Sequence, residues 1–244
     1  MENEPVVRIK KLSKAFNEKQ VLKEVNLEIH KAENVVILGK SGSGKSTLIK
    51  CMVRLEDPDE GEICVFGKDM AEVDYEELNQ LRSKIGFMFQ SSALYDSMTV
   101  YENLAFPLRH HKKDLGRDEL DAMIHEVLEN VGLPDTGDVM PAELSGGMSK
   151  RIGLARTLIL KPEIVLYDEP TTGLDNATAK EINQLILDMQ KKYKTTSLII
   201  THDIRCAEMT ADRVVMLKDG TIVAEGSYDE MAKNSDDWIR SFFS

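Results

Sequence analysis

One glycine-rich segment of the chain has the residue types and spacing that bind phosphate. Gly39-Lys40-Ser41-Gly42-Ser43-Gly44-Lys45-Ser46 fits the pattern GxxxxGK[ST] at every position. The glycines let backbone N–H groups converge on phosphate oxygens, the lysine can reach the β- and γ-phosphates of a nucleotide, and the serine can ligate Mg²⁺. An apolar run over 34–38 precedes the segment and a helical pattern over 45–54 follows it. This order predicts a strand, a phosphate-binding loop and a helix, whose N-terminus favours an anion.

A second apolar run, over 164–167, ends in two carboxylates, Asp168 and Glu169. Proteins with a phosphate-binding loop of this kind need an acidic residue at a strand end to hold Mg²⁺, and Asp168 fits that role. Glu169 would then polarise the attacking water as general base. Taken alone, the pair is more typical of an exposed acidic turn, because strand ends are often polar. Together with the phosphate loop it favours nucleotide hydrolysis.

A third motif distinguishes among the protein families that share such a phosphate-binding loop. Leu144-Ser145-Gly146-Gly147-Met148, followed by Arg151, Ala155 and Arg156, resembles the signature sequence of ABC ATPases. Ser145 and the two glycines precede a helical pattern, so they form a second anion site. Further residues follow the family order: Gln90 resembles its Q-loop glutamine, Asp175 in Gly173-Leu174-Asp175 its D-loop, His202 its switch histidine, and Phe16 its adenine-stacking aromatic. The resemblance covers essentially the whole chain.

The resemblance implies ATP and Mg²⁺ as cofactors and assigns roles to the matching residues. The catalytic residues would be Glu169, His202, Lys45 and Gln90, and the Mg²⁺ ligands Ser46, Gln90 and Asp168. The ATP-binding residues would be Phe16, Val21, Gly39, Lys40, Ser41, Gly42, Ser43, Gly44, Lys45, Ser46, Thr47, Ser145, Gly146, Gly147 and Asp175.

The resemblance also implies partners. In the family, the signature serine contacts the γ-phosphate held by a second cassette, so one chain holds two half-sites. Only one phosphate loop and one signature occur here, and a homodimer is the simplest way to complete both sites. No stretch approaches 18 apolar residues, so a separate permease chain would supply the membrane part and hold this subunit at the cytoplasmic side of the inner or plasma membrane.

Several features resemble the ATPases of Mla-type phospholipid transporters, which work with a lipid-binding partner. They are Met148 in place of the commoner signature glutamine, the segments 90–95 and 98–108, and the aromatic ending 238–243. The same ending is equally typical of a terminal packing helix. The alternatives are an importer ATPase for a polar solute, such as an amino acid or a metal, and a soluble ABC ATPase that acts on ribosomes or DNA. A kinase with a phosphate loop would lack the signature and the switch histidine.

The elements around these motifs predict an α/β fold. Short strands over 6–10, 21–29 and 62–66 suggest an N-terminal antiparallel β subdomain. Runs over 34–38, 164–167, 197–201 and 214–217 alternate with helical segments, which favours a mostly parallel, RecA-like P-loop NTPase sheet. The middle is helical, with a capping box at Thr99 and Glu102. We expect one domain over 1–244, with the ATP-binding core at 1–90 and 160–244 and a helical subdomain at about 91–159.

Composition limits the function classes. The net charge is −11, and no dense Lys/Arg cluster is recognised in the sequence, which argues against nucleic acid as a partner. Cys51, Cys64 and Cys206 are isolated, and no spacing of cysteine and histidine indicates zinc.

Overall fold

The computed structural model describes residues 4–243. The strands are β1 (Val7–Phe16), β2 (Lys19–Ile29), β3 (Asn34–Leu38), β4 (Glu60–Val65), β5 (Lys68–Asp69), β6 (Ile85–Met88), β7 (Ile164–Asp168), β8 (Thr196–Thr201), β9 (Arg213–Lys218) and β10 (Thr221–Gly226). The helices are α1 (Lys45–Met52), α2 (Tyr75–Ser83), α3 (Val100–His111), α4 (Arg117–Asn130), α5 (Gly146–Leu158), α6 (Asn176–Tyr193), α7 (Ile204–Thr210), α8 (Tyr228–Ala232) and α9 (Asp237–Arg240). A short 3-10 helix spans Pro141–Glu143.

The strands form two sheets. The larger has the order β10-β9-β3-β8-β7-β6, and all of its strands are parallel except the edge strand β10. The smaller sheet has the order β2-β1-β4-β5 and is antiparallel. The predicted fold class, a mostly parallel sheet with an N-terminal antiparallel sheet and helices, is confirmed.

The parallel sheet is buried on both faces, as expected for strands joined by helical crossovers. Along β3 the side chains alternate between two apolar clusters, with Val36 and Leu38 in one and Val35 and Ile37 in the other. The first cluster includes residues of helices α3 to α7, and the second includes residues of α1, α2 and the antiparallel sheet. Burial from both sides fixes the ends of these strands in space.

Helices α3, α4 and α5 follow one another between β6 and β7. The predicted capping box is present: the Thr99 hydroxyl accepts from the Glu102 amide, and the Glu102 carboxylate accepts from the Thr99 amide. Gly132 has a φ of 72° just beyond α4, as a helix-terminating glycine requires. The boundaries of a helical subdomain at about 91–159 within one domain stay a prediction.

Several predicted elements differ in length. Strand β1 continues to Phe16, beyond the predicted range 6–10. The sequence did not indicate this extension because exposed lysines and a bulge at Lys11, with a φ of 49°, obscure the alternation of apolar and polar residues. The predicted helix over 45–54 ends at Met52. In the aromatic ending, Ile239 is buried, and Trp238 and Phe242 pack against the first apolar cluster. Terminal packing is therefore its observed role. Among the described residues, no helix is long and apolar enough to cross a bilayer.

Two tyrosines, one buried and one partly buried, differ in whether their hydroxyl has a hydrogen-bond partner. The Tyr167 hydroxyl on β7 is fully buried and has no partner among the described residues, whereas the Tyr193 hydroxyl on α6 accepts from the Asn130 side chain at 2.7 Å. Tyr167→Phe removes an unsatisfied polar group and should raise the free energy of unfolding by about 1 kcal/mol. Tyr193→Phe, the matched control, should lower it by about 1 kcal/mol because a hydrogen bond is lost. Urea denaturation of both variants measures this difference, and a destabilised Tyr167→Phe protein would contradict it.

Candidate nucleotide site at the carboxyl edge of the sheet

Four parallel strands deliver the predicted chemical groups to the same edge of the sheet. Strand β3 leads into the glycine-rich loop, β7 ends at Asp168, β8 is followed by His202, and β6 by Gln90. The ligand crevice of an open parallel sheet lies outside the carboxyl ends of its strands. A cavity of about 640 Å³ occupies this position, lined by Lys19, Val21, Lys40, Ser41, Gly42, Gly44, Lys45, Ser46, Thr47, Gln90, Glu169, His202 and Phe242.

The glycines of the loop are required by close packing and by backbone angle. A Cβ at Gly39 would lie 2.4 Å from the Leu217 carbonyl oxygen, so the loop can pass β9 only as glycine. Gly44 has a φ of 106°, a left-handed conformation that L side chains rarely adopt, and it directly precedes α1. The loop therefore turns tightly into the N-terminus of α1, where free amides favour an anion.

Lys45 is the first residue of α1, and its side chain is folded back into the loop. Its Nζ donates to the carbonyls of Gly39 at 2.8 Å and Lys40 at 3.2 Å, and it lies 3.8 Å from Oε1 of Glu169. Burial lowers the pKa of this ammonium, although the carboxylates of Glu169 and Asp168 oppose that shift. A nucleotide phosphate at this position would supply the anionic partner that two neutral carbonyls replace only in part.

Ser46 and Asp168 form a pair suited to Mg²⁺. The Ser46 hydroxyl donates to Oδ1 of Asp168 at 3.0 Å. Burial raises the pKa of Asp168, an effect that the Ser46 hydrogen bond reduces and the neighbouring Glu169 charge reinforces. Mg²⁺ in nucleotide sites is held by one or two protein oxygens, and phosphates and waters complete its shell. A hydroxyl and one carboxylate beside the loop fit this requirement.

Glu169 and His202 both line the cavity, and their side chains contact each other. His202 Nδ1 lies 2.8 Å from Oε2 of Glu169, which also accepts from the Thr172 hydroxyl at 3.2 Å. Glu169 has a φ of 51°, and its amide donates to the Ile200 carbonyl at 2.8 Å, so the backbone fixes the direction of the carboxylate. The His202 side chain is 62% exposed and the Glu169 side chain 13%. The carboxylate is thus shielded on one side and open toward the cavity.

Lys150 connects this cavity to the signature helix, and the sequence interpretation assigned it no role. Its side chain is buried, and its ammonium donates to the Gln90 carbonyl. Burial lowers the pKa of Lys150, while Glu169 and Asp168 counteract the shift. Arg156, also on α5, donates to the carbonyls of Ser92 and Ala93. The segment after β6 is therefore anchored to α5. In the sequence, a lysine on an otherwise apolar face of the predicted helix is the feature that could have identified Lys150.

The signature and D-loop residues lie outside the cavity. Ser145 caps α5 and accepts from the Met148 amide at 3.2 Å, and it is exposed. Asp175 caps α6, and hydrogen bonds from the hydroxyl and amide of Thr178 lower its pKa. A Cβ at Gly147 would lie 2.7 Å from a methyl carbon of Thr178, so the two capped helices pack closely. Ser145, Gly147 and Asp175 therefore do not line the cavity of their own chain.

Of the other residues predicted to bind the nucleotide, some line the cavity and others do not. Val21 lines the cavity, whereas Gly39 and Ser43 are buried and do not line it. Phe16 does not line it; its ring is 41% exposed, with the Lys14 ammonium 5.3 Å from the ring centroid. Lys19 and Phe242 do line it, although no motif identified them.

Comparisons with known proteins agree with this geometry. The family model described as "ABC transporter" matches residues 22–172. The probable ribonucleotide transport ATP-binding protein mkl of Mycobacterium leprae is 38% identical over 97% of this chain and 68% of its own length. The methionine import ATP-binding protein MetN of Rhizobium johnstonii is 40% identical over 92% of this chain and 61% of its own length. The chain thus spans about two thirds of the length of these relatives.

Solved structures give the same result. A dimeric structure of the bacterial ABC transporter cassette MJ0796 superposes with a TM-score of 0.84 at 34% identity, covering 91% of this chain and 98% of that one. A second structure of MJ0796, in a post-hydrolysis state bound to ADP and Pi, gives a TM-score of 0.83 at 34% identity, with the same coverage of both chains. The phosphate-binding loop, the carboxylates beside it and the matching family model together show that the chain belongs to the ABC transporter family and is one of its ATPases, which bind ATP with Mg²⁺.

Proposed function

We propose that this chain is the ATP-hydrolysing subunit of a transporter and powers substrate movement through separate permease subunits. It would act at the cytoplasmic side of the inner or plasma membrane. The observation that carries the proposal is the convergence of the Lys45 ammonium, the Ser46–Asp168 pair and the Glu169–His202 contact on one cavity at the edge of the sheet.

The predicted site residues have distinct roles. Lys45 and the loop amides hold the β- and γ-phosphates, with Ser46, Asp168 and Gln90 as the Mg²⁺ ligands. Glu169 orients the attacking water and accepts its proton, and His202 holds Glu169 and the γ-phosphate region in register. Phe16 and Val21 contact the base and ribose. The positions of Val21, Gln90, Glu169 and His202 on the cavity wall support this assignment.

A second copy of the chain completes each site. Ser145, Gly146 and Gly147 at the start of α5, with Asp175 at the start of α6, contact the γ-phosphate held by the partner copy. The exposure of Ser145 and its absence from the cavity of its own chain support this arrangement. The MJ0796 cassettes with which the chain superposes are dimeric.

A groove beside the segment after β6 is the proposed docking site for the permease. It has a volume of about 1050 Å³, and its apolar wall is formed by Phe87, Phe89, Tyr95 and Phe106. The Tyr95 and Phe106 rings lie 5.2 Å apart and are 46% and 45% exposed. Leu94, next to Tyr95 in the chain, packs against the first apolar cluster and does not line the groove. Exposed aromatic rings in a groove suit an amphipathic permease helix.

The proposed cargo is phospholipid, moved by an Mla-type system with a lipid-binding accessory protein. Met148 in the signature and the segments 90–95 and 98–108 support this choice. The names of the relatives support the alternative, an importer of a polar solute, since they describe transport of ribonucleotide, methionine and sulfate or thiosulfate. Purification of the assembled complex, described below, distinguishes a phospholipid cargo from a polar solute.

Glu169→Gln tests the catalytic carboxylate. The variant keeps the shape of the site but removes the base, so ATP hydrolysis should fall by roughly 10²–10⁴ while ATP still binds. Phosphate release and binding of a fluorescent ATP analogue measure the two effects. Glu163→Gln, at an exposed carboxylate just before β7, is the control and should hydrolyse ATP normally. Near-normal turnover of Glu169→Gln would remove this residue from the role.

Ser145→Arg tests whether the signature acts on a partner's nucleotide. It should abolish hydrolysis but leave ATP affinity of the monomer nearly unchanged, since Ser145 lies outside its own cavity. Lys45→Ala should instead weaken ATP binding directly, because it removes a cation from the phosphates. Ser235→Arg, at an exposed serine away from the signature, is the control. Loss of nucleotide binding by isolated Ser145→Arg monomers would contradict the two-half-site arrangement.

Purification from native membranes tests the cargo. The tagged chain should retain a permease, a lipid-binding protein and phospholipid, measured by mass spectrometry after washing in mild detergent. Tyr95→Glu with Phe106→Glu places charges in the docking groove and should lose all three while keeping basal ATPase activity. If the complex holds no phospholipid above this variant and contains a protein that binds an amino acid or a metal, the polar-solute importer replaces the lipid transporter.

A further inference from the structure

A cluster of cations stands out on this acidic chain. Arg109, Lys112, Lys113 and Arg117 fall within one short segment whose only carboxylate is Asp114, whereas the whole chain has a net charge of −11. The expectation that the sequence holds no dense Lys/Arg cluster is therefore wrong. Two histidines and the segment Asp114-Leu115-Gly116 interrupt the run and disguise it. We call these four cations the basic patch.

The turn between α3 and α4 brings the basic patch together. The Lys112 amide donates to the Leu108 carbonyl at 2.7 Å, and the Leu115 amide donates to the Lys112 carbonyl at 3.2 Å. All four cations line one cavity of about 730 Å³, and all four are exposed. None of them makes an ion pair with another residue in 4–243.

Two carboxylates also reach this cavity, but they do not neutralise it. Asp121 accepts a hydrogen bond from the Tyr101 hydroxyl, which joins α4 to α3, and Asp138 is the second carboxylate in the lining. Among the residues that line the cavity, four cations outnumber two carboxylates, so the lining carries a net positive charge on a protein whose overall net charge is −11. Asp114, Asp118 and Glu119 are close in the chain but do not line the cavity. An anion is repelled over most of the molecule and attracted here.

Helix stability does not explain the basic patch. Arg109 lies in the last turn of α3, where a cation interacts favourably with the helix dipole. Arg117 is the first residue of α4, where the dipole disfavours a cation, and Lys113 lies in the turn between the two helices. The arrangement therefore costs some helix stability, which an anionic partner would offset.

The basic patch is continuous with the docking groove. His110 and His111, between Arg109 and Lys112 in the chain, line the groove together with Phe106. The groove receives the permease in the proposed function, and a permease lies in the bilayer. A cationic surface next to that groove is therefore held near the headgroups of the membrane.

From the charge, the exposure and this position, we propose that the basic patch binds the anionic phospholipid headgroups of the membrane surface. The placement near the bilayer rests on the proposed function, whereas the positive charge of the cavity does not. Lysine and arginine next to an anionic membrane each strengthen attachment, and the attraction falls off within a Debye length. The contact would orient the subunit before or while the permease engages the groove.

Vesicle sedimentation tests the proposal with the full chain. Wild-type protein is mixed with vesicles of phosphatidylcholine alone, or with vesicles containing one third phosphatidylglycerol, at low salt and at 0.5 M NaCl. Lys112→Glu with Lys113→Glu is the test variant. Lys191→Glu with Lys192→Glu, an adjacent pair in the last turn of α6, is the matched control with the same charge change at another helix end. ATP hydrolysis is measured in the same samples, so that failure of the ATPase assignment is seen separately from failure of lipid binding.

The proposal expects wild type and control to bind the anionic vesicles, at low salt only, and to ignore the neutral ones. The Lys112/Lys113 variant should bind the anionic vesicles at least about 20-fold more weakly with unchanged ATPase activity. Equal wild-type binding to both vesicle types, or undiminished binding by the variant, overturns the proposal. Release of wild type by 10 mM inorganic phosphate at constant ionic strength also overturns it, because the site would then take the free anion. Absence of vesicle binding together with capture of an acidic permease segment overturns it in favour of a protein partner.

Discussion

The buried ammonium of Lys45 is the constraint around which the site is organised. A charge out of contact with water is costly unless anions or dipoles surround it. Here the carbonyls of Gly39 and Lys40 in the loop accept its hydrogen bonds. The carboxylates of Asp168 and Glu169, at the end of β7, lie nearby. The tight passage of Gly39 past the Leu217 carbonyl fixes the loop, and the buried strands β3 and β7 fix its distance from the carboxylates.

The same geometry leaves one chain incomplete. The cavity is lined by the phosphate-binding loop, the candidate base Glu169 and Ser46 of the proposed Mg²⁺ pair, whereas the exposed N-termini of α5 and α6 do not line it. Lys150 joins the two surfaces, since it lies on the signature helix and donates to the carbonyl of Gln90 in the cavity wall. Movement of α5 would thus be transmitted to Gln90 and to the adjoining groove. In our account this connection couples the nucleotide to the permease.

The sequence predicted the fold class and most residues of the cavity, because both follow from local patterns. The loop glycines, the carboxylates after an apolar run and the histidine after another can be recognised without knowledge of distant contacts. Lys19, Lys150 and Phe242 were missed because their positions depend on tertiary packing. The basic patch was missed because other residues interrupt its cations in the chain, whereas the α3–α4 turn places all four at one cavity.

The central claim, that each catalytic site is shared by two copies, is tested most directly by mixing two inactive variants. Lys45→Ala lacks a working phosphate loop and Ser145→Arg lacks a working signature, so a mixed dimer contains one intact site. Equimolar mixing should restore about a quarter of the wild-type ATPase rate if copies exchange at random, since half the dimers are mixed and each has one of two sites. A mixture no more active than the two variants measured separately would contradict the account.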